Sequence, residues 1–246
     1  MKILLCASVT PDTTAKINFT ADKKSLEQAN VTFILNPYDD HALASAMNIK
    51  EANNAYLTVV HVGDKSAEPI LRKVLAVGAD EAILINATPY NAQYVAQLIA
   101  EIVKQNQYDL IITGRESIDF NGAELCDLLA EYVGIPSIAY VSHIDITPDT
   151  IKLKRFIDGG EQNLELANTP IVISATKELA EPKIPNMRGI MSAKSKPLTV
   201  LEPTNLINMV ELVEFEAPIA KSGVKLIEAE NAGQLIDILH NDIKII

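Results

Sequence analysis

Residues 57–85 read LTVVHVGDKSAEPILRKVLAVGADEAILI. Leu57 to Val62 is an apolar run short enough for a strand, and Gly63 ends it. Ile70, Leu71, Val74 and Leu75 then share one face at helical spacing, and Gly78 stops that helix. Ala82 to Ile85 is apolar again. A strand, a helix of about ten residues and a second strand make a βαβ unit, because parallel strands need a crossover of that length.

The same alternation runs outward in both directions. Upstream, Lys2 to Ser8 reads as a strand, Val9-Thr10-Pro11-Asp12 breaks it, and Val31 to Leu35 is a second strand stopped by Asn36-Pro37. Asp39 and Asp40 open a helix where acids suit the N-terminal dipole, and Ala42, Ala46 and Ile49 share its face. Downstream, Val95, Leu98, Ile99 and Ile102 mark the clearest helix. Leu110 to Thr113 is a strand closed by Gly114, and Leu125, Leu128, Leu129 and Tyr132 form a helical face ended by Gly134 and Pro136. Ile138 to Val141 follows as a strand. The predicted class is therefore α/β with a parallel sheet.

From residue 144 the pattern changes. Thr150 to Ile157 and Asn163 to Leu166 flank Asp158-Gly159-Gly160 and predict a β-hairpin, and Ile171 to Thr176 is a further apolar strand. This divides the chain into an α/β domain over 1–180 with a hairpin extension, an irregular segment over 181–203, and a tail over 204–246. The middle segment carries Pro182, Pro185, Pro197 and Pro203 among Lys183, Arg188, Lys194 and Lys196, and irregular segments of that length are usually functional or linkers. The tail holds one short helix near Ala232 to Leu239 and too little apolar periodicity for its own core, so a partner must order it or it stays disordered.

A net charge of −11 over 246 residues argues against nucleic acid, whose phosphates need clustered Lys and Arg. No apolar run reaches the roughly 18 residues a membrane span requires. Met1 to Cys6 reads as a buried first strand, not a leader peptide. Cys6 and Cys126 stand far apart with no metal-ligand spacing, as expected of reduced cysteines in a cytoplasmic protein, and the four histidines are scattered, so no metal site is expected. Ser8, Ser117 and Ser174 lie in no nucleophile-elbow pattern, and neither a Walker lysine loop nor GxGxxG is present, so no catalytic residue is expected.

Ligands of open parallel sheets bind beyond the carboxyl ends of the strands. Cys6 to Asp12, Asn36 to Asp39, Val62-Gly63 and Gly114 to Leu125 should converge there. The last joins a strand to a helix, whose free N–H groups make an anion site, and a nucleotide is the ligand that placement favours. On local evidence Asp119 or Asn121 capping that helix is an equal alternative.

Several blocks together resemble the β-subunit of electron-transfer flavoproteins. Lys2 to Asp12 is followed by Asn36-Pro37-Tyr38-Asp39-Asp40, and Val74 to Asp80 is close to the family's Ala-Leu-Ala-Met-Gly-Ala-Asp. Gly114 to Asp119 is close to Gly-Arg-Gln-Ala-Ile-Asp, and Arg155 to Gly160 precedes Glu181 to Met191 in the family's order. The resemblance implies a nucleotide-binding domain of the adenine nucleotide α-hydrolase-like type, paired with an α-subunit that holds most of one FAD. It implies AMP in the β-subunit, or a second FAD in electron-bifurcating members. Carried over by position, the pocket falls on Cys6, Asn36, Pro37, Tyr38, Asp39, Val62, Asp119, Phe120, Asn121, Gly122, Ala123, Glu124 and Leu125. Pro185, Asn186, Met187, Arg188, Gly189 and Ile190 fall on the loop that docks flavin dehydrogenases, with Met187 as its apolar anchor.

Two departures stand out. Ala123 to Asp127 replaces a polar, glycine-containing run with one carrying two acids, and Phe156 stands where the family often has Glu. A non-redox regulator that binds an adenine nucleotide is the second reading. An adenylate-transferring enzyme is disfavoured because Ser8 to Asp12 lacks the glycines of a pyrophosphate loop.

Overall fold

The computed structural model describes every residue from 1 to 246 except 168, 169, 207 and 220–222. The chain forms two compact units, one of residues 1–17 and 27–212, the other of 18–26 and 213–246.

The first unit is built on a nine-stranded sheet. Its strands are β1 (Lys2–Ala7), β4 (Tyr56–Gly63), β5 (Glu81–Asn86), β6 (Leu110–Gly114), β7 (Ser137–Ile146), β8 (Thr150–Ile157), β9 (Gly160–Ala167), β10 (Ile171–Ala175) and β11 (Leu198–Leu201). Their spatial order is β11-β5-β4-β1-β6-β10-β7-β8-β9. Pairing is parallel from β11 through β7 and antiparallel across β7, β8 and β9, so the predicted hairpin extends one edge of the sheet. The helices are α1 (Pro37–Asn53), α2 (Glu68–Val77), α3 (Ala92–Asn106), α4 (Leu125–Val133) and α5 (Met187–Ala193).

The two-residue period of the strands explains why both sheet faces are apolar. Ile3 and Leu5 of β1 pack with Leu57 and Val59 of β4 in a core that includes Leu43 of α1 and Leu71 of α2. Leu4 and Cys6 point the other way, with Val60, Val62, Ile99 of α3 and Leu129 of α4. Strand order reverses at β1, between β4 and β6, which opens a crevice at the carboxyl ends of those strands.

The structure departs from expectation in two elements. Val9–Pro11 is a short strand, β2, and it pairs antiparallel with β3 (Phe33–Leu35) in a separate ribbon outside the main sheet. Segment 181–203 is irregular only in part: α5 packs on α2, and β11 adds a parallel edge strand beside β5. A seven-residue helix and a four-residue strand are too short for periodicity to register, and tertiary contacts settle them.

In the second unit, the Phe19 ring stacks on Phe215 at 4.9 Å, Lys23 pairs with Glu214 at 3.6 Å, and α6 (Ala232–Asp237) continues in wider turns to Ile243. Ile219, Val224 and Leu226 of this unit are almost fully exposed.

Candidate functional site

The crevice at the strand ends is a cleft with four walls. Cys6 to Ser8 close β1, His61 and Val62 close β4, and Gly114 to Ser117 leave β6. Asn91, Ala92, Val95 and Ile99 of the start of α3 face them, and Asp119, Phe120 and Gly122 to Leu125 form the outer lip. Among the described residues, no group of His, Cys, Asp and Glu is placed to hold a metal.

Asp39 is the hub of the floor. It is the third residue of α1 and only 2 % exposed. Its carboxylate accepts from Ser8 N–H at 2.6 Å and Gly114 N–H at 3.0 Å, tying the ends of β1 and β6 to the start of α1. Burial pushes its pKa up to about 7, while the two N–H donors pull the other way. Gly114 has no substitute here, because a Cβ would overlap the Asp39 carboxylate and Tyr38.

Asn36 stands beside this hub but does not line the cleft. Its amide donates to Glu116 O at 2.8 Å and accepts from Ile118 N–H at 3.2 Å, so both ends latch the loop after β6. Pro37 is the first residue of α1, where its missing N–H is harmless. Tyr38 faces the Arg115 guanidinium at 5.5 Å, with Tyr140 near the same cation at 5.8 Å. Of the residues expected at this corner, Cys6, Asp39 and Val62 line the cleft, and Asn36, Pro37 and Tyr38 support it from behind.

The outer lip is held in unusual backbone. Asn121 and Ala123 both have positive φ, 51° and 52°, and at Ala123 that conformation costs roughly 1–2 kcal/mol. Asp119 accepts from Phe120 N–H at 3.0 Å, and Phe120 is 59 % exposed. Neither Asp119 nor Asn121 caps α4: the cap position is Glu124, and no side chain bonds the first turn. That removes the capping alternative and leaves the start of α4 without a side-chain cap. Of the two acids in the unusual run, Glu124 lines the cleft, while Asp127 accepts from the Ser137 hydroxyl at 2.7 Å.

Both cysteines are free and buried, and burial pushes both thiols far above the ordinary range, so neither is a nucleophile. His61 was not among the expected residues. Its signal in the sequence is a lone polar side chain inside the apolar run of β4. It is 5 % exposed, and its Nδ1 lies 2.9 Å from Ala7 O.

The expected docking residues sit on a firm base. The Asn186 side chain caps α5 by accepting from Gly189 N–H at 2.8 Å. Gly189 lies so close to Ala76 O that a Cβ would overlap it. Arg72 donates to Ala193 O and Lys196 O, and Lys196 Nζ donates to Leu75 O and Ala79 O, locking the segment onto α2. Met187 is 74 % exposed, so it is no core residue, and Ile184, outside the expected set, is 93 % exposed. Pro185 is half-buried, and Arg188 and Ile190 of α5 are exposed.

The model of the family described as "Electron transfer flavoprotein domain" matches residues 24–206. The chain is 31 % identical to the electron transfer flavoprotein subunit beta of Bacillus subtilis over the whole of both chains. It is 32 % identical to the subunit of that name from Dictyostelium discoideum, covering 94 % of this chain and 95 % of the relative. It is also 31 % identical to the acryloyl-CoA reductase electron transfer subunit gamma of Anaerotignum propionicum, over 82 % of this chain and 78 % of that one. With the parallel sheet, its edge hairpin and these matches in agreement, the chain belongs to the electron transfer flavoprotein family, among its β-subunits.

Proposed function

We propose that this chain is half of a heterodimeric electron carrier, paired with an α-subunit that holds most of one FAD. In this reading the strand-end cleft binds AMP as a structural ligand. The observation that carries it is the meeting of Cys6, Val62 and the 119–125 lip around one cleft at the reversal of strand order. The residues fit the ligand in two parts. Cys6, Val62, Val95 and Ile99 make an apolar slot for a purine. At the other end the uncapped start of α4, with Ser117 and Arg115, offers donors for ribose and phosphate. The FAD supplies the redox chemistry. This chain's residues hold the nucleotide, keep the strand ends tied through Asp39, and present the docking segment.

Ile184, Met187 and their neighbours serve in this proposal as the contact for flavin dehydrogenases. A carrier that meets several partners briefly needs a small, adaptable apolar contact, and methionine provides one. The base locked onto α2 lowers the ordering cost of each encounter.

The test is to purify the chain with its partner subunit, denature the complex, and quantify the released nucleotides. One FAD and one AMP per complex is the expected result. Two FAD and no AMP would place a second flavin in the cleft, and an adenine nucleotide without FAD would favour the non-redox regulator.

A further inference from the structure

Methionine is usually a buried residue, yet Met187 and Met191 are 74 % and 71 % exposed. They stand four residues apart in α5, so their side chains share one face of that helix. With Ile184 they are the most exposed of the large apolar side chains in segment 181–203. The backbone beneath them is held in place, because Arg72 and Lys196 bond it to α2 and Gly189 lies against Ala76 O. Met47 is the contrast: it is buried and packed on Gly78.

Two properties meet on this face. It is the contact assigned above to flavin dehydrogenases, and it presents two thioether sulfurs to solvent. A thioether reacts with hydrogen peroxide by attacking one of its oxygens. An S–O bond forms, the O–O bond breaks and sulfur gives up two electrons. The other oxygen leaves as hydroxide and takes the remaining proton to become water. The product sulfoxide is polar and chiral, where the thioether was flexible and apolar. A small apolar contact cannot bury the S–O dipole without stripping it of water.

We propose that Met187 and Met191 form a paired oxidation site, through which hydrogen peroxide reversibly weakens the docking of flavin dehydrogenases. The effect on docking rests on the reading above; the exposure of the two side chains does not.

The experiment treats the complex of this chain and its α-subunit with hydrogen peroxide, and removes the peroxide before a dehydrogenase is added. Peptide mass spectrometry is expected to find one added oxygen on each of Met187 and Met191 and none on Met47. Electron transfer from the dehydrogenase should slow by about tenfold, the scale of losing one interface anchor, with FAD content and melting temperature unchanged. Methionine sulfoxide reductases for both epimers should restore the rate. Each variant is compared with itself before treatment. Met187→Leu/Met191→Leu should show no peroxide-dependent loss. Met209→Leu, which removes an exposed methionine outside the segment, should lose as much as wild type. Both residues left unoxidised, oxidation of both without a loss of rate, or an equal loss in Met187→Leu/Met191→Leu would each overturn the proposal. Ile184→Ala/Met187→Ala separates it from the docking reading. If that variant slows transfer and oxidation does not, only the oxidation site's role falls; if neither slows transfer, the docking reading falls with it.

Discussion

Asp39 shows how much of the cleft depends on one carboxyl group. Replacing it with Asn leaves one of the donors from Ser8 and Gly114 facing an amide N–H₂, and the expected loss of stability is about 1–3 kcal/mol, readable by urea denaturation. The pH dependence has a definite sign. Because burial raises the Asp39 pKa to about 7, the native chain holds a proton between about pH 4 and 7 that the unfolded chain has lost. Stability from this group therefore falls as pH rises through that window, and the gap between wild type and Asp39→Asn should narrow from about pH 5 to about pH 8. A gap that stays constant over that range would mean the carboxylate is ionised throughout. Gly114→Ala tests the same hub from the other side: the added Cβ overlaps the carboxylate, and a cost of about 2–4 kcal/mol is expected in thermal unfolding. At this scale the sequence was legible in part. Asp39 and Gly114 stood at the right element ends, but the bonds of Asn36 to Glu116 and Ile118, 80 or more positions away, leave no local mark in the sequence.

At the scale of elements, the segment proposed to dock dehydrogenases separates the residues that hold it in place from those it exposes. Arg72, Lys196 and Gly189 hold α5 against α2, while Ile184 and Met187 project from it. Ile184→Ala and Met187→Ala should each leave the melting temperature within the scatter of surface substitutions, about 0.5 kcal/mol, and slow electron transfer from a dehydrogenase to the complex. Unchanged transfer in the double variant would remove the segment from the docking role. The exposure of Met187 agrees with the expectation that it is no core residue. The exposure of Ile184 was not legible, since an isoleucine between prolines reads equally well as buried or exposed. The helix between them was hidden because seven residues make fewer than two full turns of pattern.

At the scale of the molecule, residues 213–246 carry exposed Val213, Ile219, Val224 and Leu226, and among the described residues of this stretch none is buried. Hydrogen exchange should find their amides fast in the chain expressed alone and slowed in the complex with the α-subunit; equal protection in both would argue that the tail needs no partner. The sequence by itself determined the α/β class, the parallel order of strands and helices, and the hairpin at Asp158-Gly159-Gly160, because periodicity and turn chemistry are local and act within a few residues. It also picked out strand-end segments that meet around one cleft. The tertiary structure alone decided which of those end residues face the cleft and which brace it, that β2 and β3 leave the main sheet, and that α4 begins without a cap. It alone turned His61 from an oddity in an apolar strand into a buried residue at the rim of the cleft, bonded to Ala7 O. Each of these depends on the carbonyl, carboxylate or backbone that a distant segment brings into contact, and no spacing along the chain encodes that.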